Sequence, residues 1–325
     1  MTFHLKISIL IPEKSPVPTI IFREGVVVQY DFMERTIMAT YQIISDSCCD
    51  FTAQQYADNN VLCVPLSVIY NGQAHDNFSD EQSVKAFYNT LRTGVTATTS
   101  AVNPEAWAKV METALREEKD ILVLAFSSGL STTYQSAVIA ADELREEYPH
   151  RDIQVVDTRC AALGQGFLVW LACRKRDEGL SLEELTAWVE ETKFHICHWV
   201  TVDDLSHLKR GGRISGATAL VGTMLNIKPI IHVDNEGHLI NVAKCRGRKA
   251  ATAFIADKVS QLGEGYDNST VFVAHGDCPE DAAALAAILK EKHGVREVIT
   301  GYVGPVIGAH TGPGVLVVFF LGKHR

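Results

Sequence analysis

From position 41 onward the apolar residues fall into two alternating textures. Short runs rich in Val, Ile and Leu are followed by longer stretches in which apolar residues recur every three or four positions. The short runs predict strands over 41–44, 61–70, 121–126, 153–156 and 195–201. The longer stretches predict helices over 52–59, 79–93, 103–118, 131–147, 161–177 and 181–192. Start signals support several of these: Thr52, Ser79 with Gln82 three residues on, Asn103 followed by Pro104, and Ser181 with Glu184. Strand and helix in this alternation call for a parallel sheet covered by helices.

The texture changes at 203–215, a polar segment in which Lys209, Arg210 and Arg213 surround Gly211 and Gly212. A domain boundary is expected there, dividing an N-terminal α/β domain over 38–202 from a C-terminal α/β domain over 203–325. The second domain reads as an apolar helix over 217–225, strands 227–233 and 239–243, helix 248–262, strand 271–274, helix 279–293, and strands 298–303 and 315–320. The fold class is therefore α/β, with two domains of helix-covered, mostly parallel sheets. The first 37 residues carry three prolines and no clear period. They read as a non-native or disordered extension, with Met38, or alternatively Met33, as the expected native start.

Composition narrows the function. Thirty Lys and Arg against 39 Asp and Glu give a net charge of −9, which disfavours a broad phosphate-tracking surface and hence nucleic acid as a partner. Eight cysteines are scattered with no C-x-x-C pair and no zinc-like spacing, as expected of small buried residues in a reducing, cytoplasmic compartment. Cys48 and Cys49 are adjacent, and a redox-sensing pair is the alternative to simple burial. The most apolar stretch, 303–321, is broken by Gly304, Pro305, Gly308, His310, Gly312 and Pro313, so no transmembrane segment is expected.

Candidate chemistry lies where strands give way to helices, since ligands of open α/β sheets bind beyond the carboxyl ends of the strands. Ser127-Ser128-Gly129-Leu130-Ser131-Thr132-Thr133 occupies such a position, although Ser131 would equally serve as a plain helix cap. Thr96-Ala97-Thr98-Thr99-Ser100 is a second hydroxyl cluster. Gly164-Gln165-Gly166 lacks a third glycine and no Walker-type loop occurs, so nucleotide binding is not indicated. His195 and His198 have no evident carboxylate co-ligand and read as structural; no metal is expected. His310 lies in a glycine-rich segment read as a loop between two strands, and Arg246 sits in Lys244-Cys245-Arg246-Gly247-Arg248, either an anion-binding fork or a surface basic patch.

In order along 41–321, these segments form a set. They are Ser45-Asp46-Ser47, Thr99-Ser100, Ser128-Gly129-Leu130-Ser131-Thr132-Thr133-Tyr134-Gln135-Ser136-Ala137, Asp157-Thr158 with Gly164-Gln165-Gly166, Asp204-Leu205 with Leu208, Gly211-Gly212-Arg213-Ile214, Lys228-Pro229-Ile230, Arg246 and His310-Thr311-Gly312-Pro313-Gly314. The ordered set resembles the DegV family, the fatty-acid-binding FakB subunits of bacterial fatty acid kinase. The resemblance implies a two-domain protein that holds one long-chain fatty acid, with the carboxylate at the domain interface and the tail in an apolar tunnel. It implies a carrier with no cofactor and no catalytic residue of its own. The bound carboxylate would be presented to a separate ATP-dependent kinase subunit, forming acyl phosphate for phospholipid synthesis, with transient contact at a membrane surface.

Carried over by motif, Thr99, Ser131, Arg246 and His310 would contact the carboxyl group and Arg213 would help dock the kinase. Segments 217–225 and 167–170 are expected to wall the tunnel. Thr132 stands where the family commonly has Gly, and Ala162 or Leu163 where it often has Ser, which adds bulk beside Ser131. Two alternatives stand beside the carrier. Gly129-Leu130-Ser131-Thr132-Thr133 is half of a hydrolase nucleophile elbow, and Ser131, an Asp such as Asp234 or Asp277, and His310 follow serine-hydrolase order. The other alternative keeps the fold and carries a different amphipathic anion.

Overall fold

The run Tyr41–Asp46 is buried at every position, and its parallel neighbours explain why it carries apolar residues on both faces. In the computed structural model it lies inside a four-stranded sheet in the order Val61–Val64, Tyr41–Asp46, Asp120–Ala125 and Ile153–Asp157, every pair parallel. Ile44 and Val123 pack with Trp107 of helix Pro104–Arg116 and with Ala137 of helix Thr133–Glu147 in one core cluster. Helix Leu182–Thr192 packs on the strands Asp120–Ala125 and Ile153–Asp157.

The structure describes residues 41–77, 80–203, 205–214 and 226–325, together with the backbone of two short antiparallel strands, Thr19–Ile21 and Val27–Gln29. Those two strands belong to a separate unit, Met1–Thr40. The remainder of the expected N-terminal extension, Ser79, and the helix expected over 217–225 lie outside the described residues.

Helix starts follow the capping signals. Thr52 and Ser181 close full capping boxes with Gln55 and Glu184, and Asn103 accepts from the Ala106 amide ahead of Pro104. Helix Glu81–Arg92 is capped by Asp80, which accepts from the Ser83 amide at 2.9 Å. The single strand expected over 61–70 is two strands. Pro65 has no amide to give a ladder, and beyond it the chain leaves the parallel sheet, with the Leu66 amide donating to Ser47 Oγ at 2.9 Å. Ser67–Tyr70 then joins a three-stranded antiparallel sheet with Gln73–Asp76 and Thr98–Ser100. This brings Thr99 beside the segment that follows the first strand pair.

The other large sheet has six strands in the order Leu239–Arg246, Ile227–Val233, Ile196–Thr201, Leu316–Leu321, Thr270–His275 and Glu297–Tyr302. Only its last pair is parallel, so parallel pairing is concentrated in the four-stranded sheet. Ile196–Thr201, on the N-terminal side of the expected boundary, is an inner strand of this second sheet. Helices Arg248–Leu262 and Pro279–His293 contribute Ile255 and Leu285 to its core, against Val273 and Val318.

The segment expected as a loop around His310 is a helix, Pro305–Thr311. Proline fits its first turn because that amide has no intrahelical partner. Asn77 accepts from the Val306 amide at 3.0 Å and donates to Ser47 O at 2.8 Å, and the Tyr88 hydroxyl donates to Val303 O at 2.7 Å.

Asp46 ties three of these pieces together. It is fully buried, accepts from the amides of Cys48 (2.9 Å) and Phe126 (2.7 Å), and accepts from Gln165 Nε2 (3.2 Å) on helix Leu163–Asp177. Burial outweighs these donors and raises its carboxyl to about 6; Asp50, also buried, shifts in the same direction. A carboxyl that holds its proton more tightly folded than unfolded stabilises the fold below its unfolded value, and that contribution is lost as pH rises through about 6. Asp46→Asn turns one acceptor into a donor facing donors, and should cost about 1–3 kcal/mol of unfolding free energy near pH 4. In urea titrations across pH the gap between wild type and variant should narrow up to about 6 and then level. A gap of constant size through that window would show that Asp46 titrates alike in the folded and unfolded chain.

Candidate functional site

Three neighbouring strands of the six-stranded sheet present alternate residues to one side, as the two-residue period of a strand requires. His198 and Val200, Val315, Val317 and Phe319, and Ile231 and Val233 all line one cavity of about 500 Å³. Register explains their adjacency: Val200 pairs with both Ile231 and Val317, and His198 pairs with Phe319. Phe126, Leu130 and Ala161 close the cavity from the segments that follow the parallel strands. Its walls are thus drawn from both halves of Tyr41–Arg325.

Helix Leu163–Asp177 reaches this wall only because residue 164 is glycine. A Cβ there would fall 2.2 Å from His198 Nε2 and 2.6 Å from Phe319 Cδ1. His198 itself is spent on structure, with Nδ1 on Ile196 O at 3.0 Å and Nε2 accepting from the Ala161 amide at 3.3 Å. Burial pushes its imidazole down to about 3, so it is neutral at physiological pH. His195 bonds Gly322 O and the Tyr266 hydroxyl, and the two histidines share no site. Among the described residues no group of three His, Cys, Asp or Glu side chains could hold a metal.

Polar groups join the cavity through a connected chain of contacts. His310 Nε2 lies 2.9 Å from Thr99 Oγ1, and both line the cavity. The ring of His310 packs so closely on Gly211 that a Cβ there would stand 2.2 Å from Nδ1. Arg213 donates from Nη1 to Gly211 O at 2.5 Å and from Nε to Leu130 O at 3.1 Å, next to Ser131. Burial and the Arg213 charge together push His310 down to about 4, leaving a neutral imidazole that can give or take one proton in a hydrogen bond. Ser131 Oγ accepts from the Thr133 amide at 3.2 Å and lies 2.8 Å from Thr133 Oγ1. Ser131 is therefore both a turn-forming hydroxyl and a cavity residue.

The structure brings Thr99, Ser131, Arg213 and His310 to this cavity, and not Arg246. Arg246 is exposed at the end of strand Leu239–Arg246, paired with Ile227, and does not line the cavity. Its strand neighbourhood, Lys244 to Arg246, belongs to the outer edge of the sheet, where alternate residues face solvent, and Arg248 beyond it begins the next helix. Phe167 and Trp170 do not line the cavity either: Phe167 is core, 4.9 Å from the ring of Phe272. Sequence reading overlooked the apolar wall, whose signal was the every-second-residue pattern in 198–200, 231–233 and 315–319.

The hydrolase arrangement is not assembled. His310 engages Thr99 and not Ser131, Asp277 pairs with Arg92, and Asp234 accepts from the Glu236 and His238 amides of its own turn. Among the described residues no acid orients the histidine and no base reaches the serine, both of which acyl transfer needs. Cys48 and Cys49 are fully buried, and burial drives both thiols well above their ordinary range, which suits small core residues and not a sensor.

Among the described residues no helix is long and apolar enough to cross a membrane. A DegV domain-containing protein of Clostridium perfringens is 44% identical over 289 residues, covering 89% of this chain and 99% of that protein. A solved structure described as fatty acid binding of a DegV family protein from Thermus thermophilus superposes with a TM-score of 0.77 at 32% identity, covering 87% of this chain and 99% of that one. DegV of Bacillus subtilis, described as a fatty acid binding protein, gives a TM-score of 0.74 at 28% identity, with 87% and 99% covered. The model of the family described as "Uncharacterised protein, DegV family" matches residues 40–323. With that match running through every strand of both large sheets, the chain belongs to the DegV family.

Proposed function

We propose that this protein is a fatty-acid carrier that holds one long-chain acid in the cavity behind His310 and presents its carboxylate to a separate kinase subunit. The observation that carries the reading is the union of an apolar wall and a small polar cluster in one cavity, a shape and chemistry that fit a molecule apolar along its length and acidic at one end. The fatty-acid-binding descriptions of the Thermus and Bacillus relatives support it. A tail of about 16 carbons at about 0.8 kcal/mol per buried CH₂ gains roughly 12 kcal/mol before ordering costs, so the tail supplies affinity. Thr99, Ser131 and His310 then supply orientation, each with a hydroxyl or ring nitrogen to offer a carboxylate.

A carrier of this kind needs no catalytic residue. The kinase subunit would bring ATP, and the carboxylate oxygen would attack its γ-phosphorus, giving an acyl phosphate and ADP for phospholipid synthesis in the cytoplasm. Arg213, to which the family resemblance gives kinase docking, stands beside His310, the end at which a kinase must reach the carboxylate.

Native mass spectrometry of freshly purified protein, followed by extraction, should find one fatty acid per chain. A folded protein that carries none and takes up none when it is added would sink the carrier reading. Ser131→Ala and His310→Ala should each weaken fatty-acid binding by about tenfold, the worth of one hydrogen bond to a charged group. Unchanged affinity in both would move the carboxylate elsewhere. Mixed with ATP and a bacterial fatty acid kinase catalytic subunit, the loaded protein should yield acyl phosphate, and the same mixture lacking it should not; equal yields would rule out the presenting role.

A further inference from the structure

We infer that Asp50 is the residue that positions His310: its carboxyl is wedged against the start of helix Pro305–Thr311 and sets how that helix, and so the imidazole near its far end, sits at the cavity. The inference rests on the fatty-acid reading for what His310 does with a ligand, and adds to it what holds the histidine in place. A seven-residue helix with a glycine inside it has little stability of its own, and its N-cap, Gly304, brings no capping side chain. Its place is therefore set from outside. His310 follows Pro305 by little more than one turn, about 7.5 Å along the axis at about 1.5 Å per residue, so a displacement at the start is felt at the ring.

Residue 304 shows how tight the contact is. Its φ of −64° and ψ of 163° suit any residue, so the backbone does not call for glycine. Space does: a Cβ there would fall 2.4 Å from Asp50 Oδ1 and 3.0 Å from Asn77 Nδ2. Asp50 cannot step aside. It is 6% exposed, its amide donates to Ser47 O at 3.2 Å, and its φ of 55° holds it in the left-handed region, which a non-glycine residue enters at a cost. The turn that it ends is itself held. Ser47 O also accepts from Asn77 Nδ2 at 2.8 Å, and Cys49 O packs so closely on Gly166 of helix Leu163–Asp177 that a Cβ there would stand 2.6 Å away.

Stability does not account for this carboxyl. The Gly304 amide and Asn77 face it, yet neither oxygen has a hydrogen bond of good geometry among the described residues. The ionisable groups that bear on it, Asp46, Cys48 and Tyr88, include no cation, and burial holds its proton on well above the usual carboxylate range. A buried polar group left in this state costs free energy that an apolar side chain would not. What the carboxyl supplies is shape, a planar group pressed on the helix start from a strained and immobile turn. Towards the other end of the helix the His310 ring meets Gly211 and Thr99 with equally little room. The helix is gripped between two fixed points, and its histidine has one place to be.

The test follows the His310 imidazole by NMR titration of the delipidated full chain, with His310→Gln used to assign its signal. In wild type the ring should titrate at about 4. Asp50→Ala removes the wedge, and a ring released from Gly211 and Thr99 should titrate higher, toward about 6.5, the value of a solvated histidine. Asp50→Asn keeps the shape and should keep the wild-type titration. A merely structural Asp50 would lower the melting temperature of the Ala variant and leave the folded ring titrating at about 4; that result overturns the inference, as does an Asn variant that shifts as far as Ala. Should Asp50→Ala not fold, Gly304→Ala presses on the same contact from the other side and should likewise raise the His310 titration, and an unmoved ring there overturns the inference too. Dodecanoate affinity, read on the same proteins, should fall about tenfold in Asp50→Ala. An affinity that holds while the ring moves takes His310 out of carboxylate binding and leaves its positioning by Asp50 established. If wild type binds no dodecanoate the carrier reading fails, and the His310 titration still decides the role of Asp50.

Discussion

Asp46 must accept three hydrogen bonds in a place that water does not reach, and the geometry of the site follows from how that demand is met. Its donors come from the turn after its own strand, from the start of the 126–132 segment, and from helix Leu163–Asp177. The first leads through Ser47 and Asn77 to the helix that carries His310; the second leads to Leu130 and Ser131. The third holds the helix whose Gly164 lies against the apolar wall. One carboxyl thus fixes the relative position of the polar cluster and the apolar wall of the cavity. That it stays protonated more readily than a free aspartate is the consequence of putting such a hub out of reach of solvent.

The cavity divides its tasks between two kinds of secondary structure. Strand faces are regular, so three adjacent strands can offer a continuous apolar wall from alternate residues with no special sequence beyond the alternation itself. Polar groups come instead from strand ends and short helices, where backbone groups are left over and side chains such as Thr99 and Ser131 can turn toward a ligand. An apolar wall gains affinity in proportion to the apolar area it covers, whereas a single hydrogen bond adds little net energy and mainly direction.

How far the sequence announced this arrangement differs from element to element. Capping chemistry is local, so Thr52, Asn103 and Ser181 could be read directly and the helices they begin lie where expected. Strand partnership is not local. Val61 to Tyr70 is one apolar run in sequence but two strands in two sheets, and only Pro65 hints at the break. The His310 segment is harder still, because it is only seven residues long with Gly308 in its middle, and it is external contacts from Asn77 and Tyr88 that anchor Pro305–Thr311 at its start. Family resemblance supplied the ordered motifs and an expected site of Thr99, Ser131, Arg246 and His310, of which the first two and the last line the cavity.

The two arginines show most clearly what a sequence cannot carry. Arg246 in Lys-Cys-Arg-Gly-Arg and Arg213 in Arg-Gly-Gly-Arg have the same local signature: a fork-shaped cation beside a glycine, in a basic stretch next to an apolar segment. What separates them is the orientation of one strand edge. Alternation along Leu239–Arg246 turns Arg246 outward, into solvent that can screen it. Arg213 follows a turn whose carbonyl it binds, and the second carbonyl it binds belongs to a segment 83 positions earlier in the chain. That long-range bond, invisible to any reading of spacing or composition, converts a surface charge into a cavity charge. Where a glycine-flanked arginine ends up is decided by which distant carbonyl captures it.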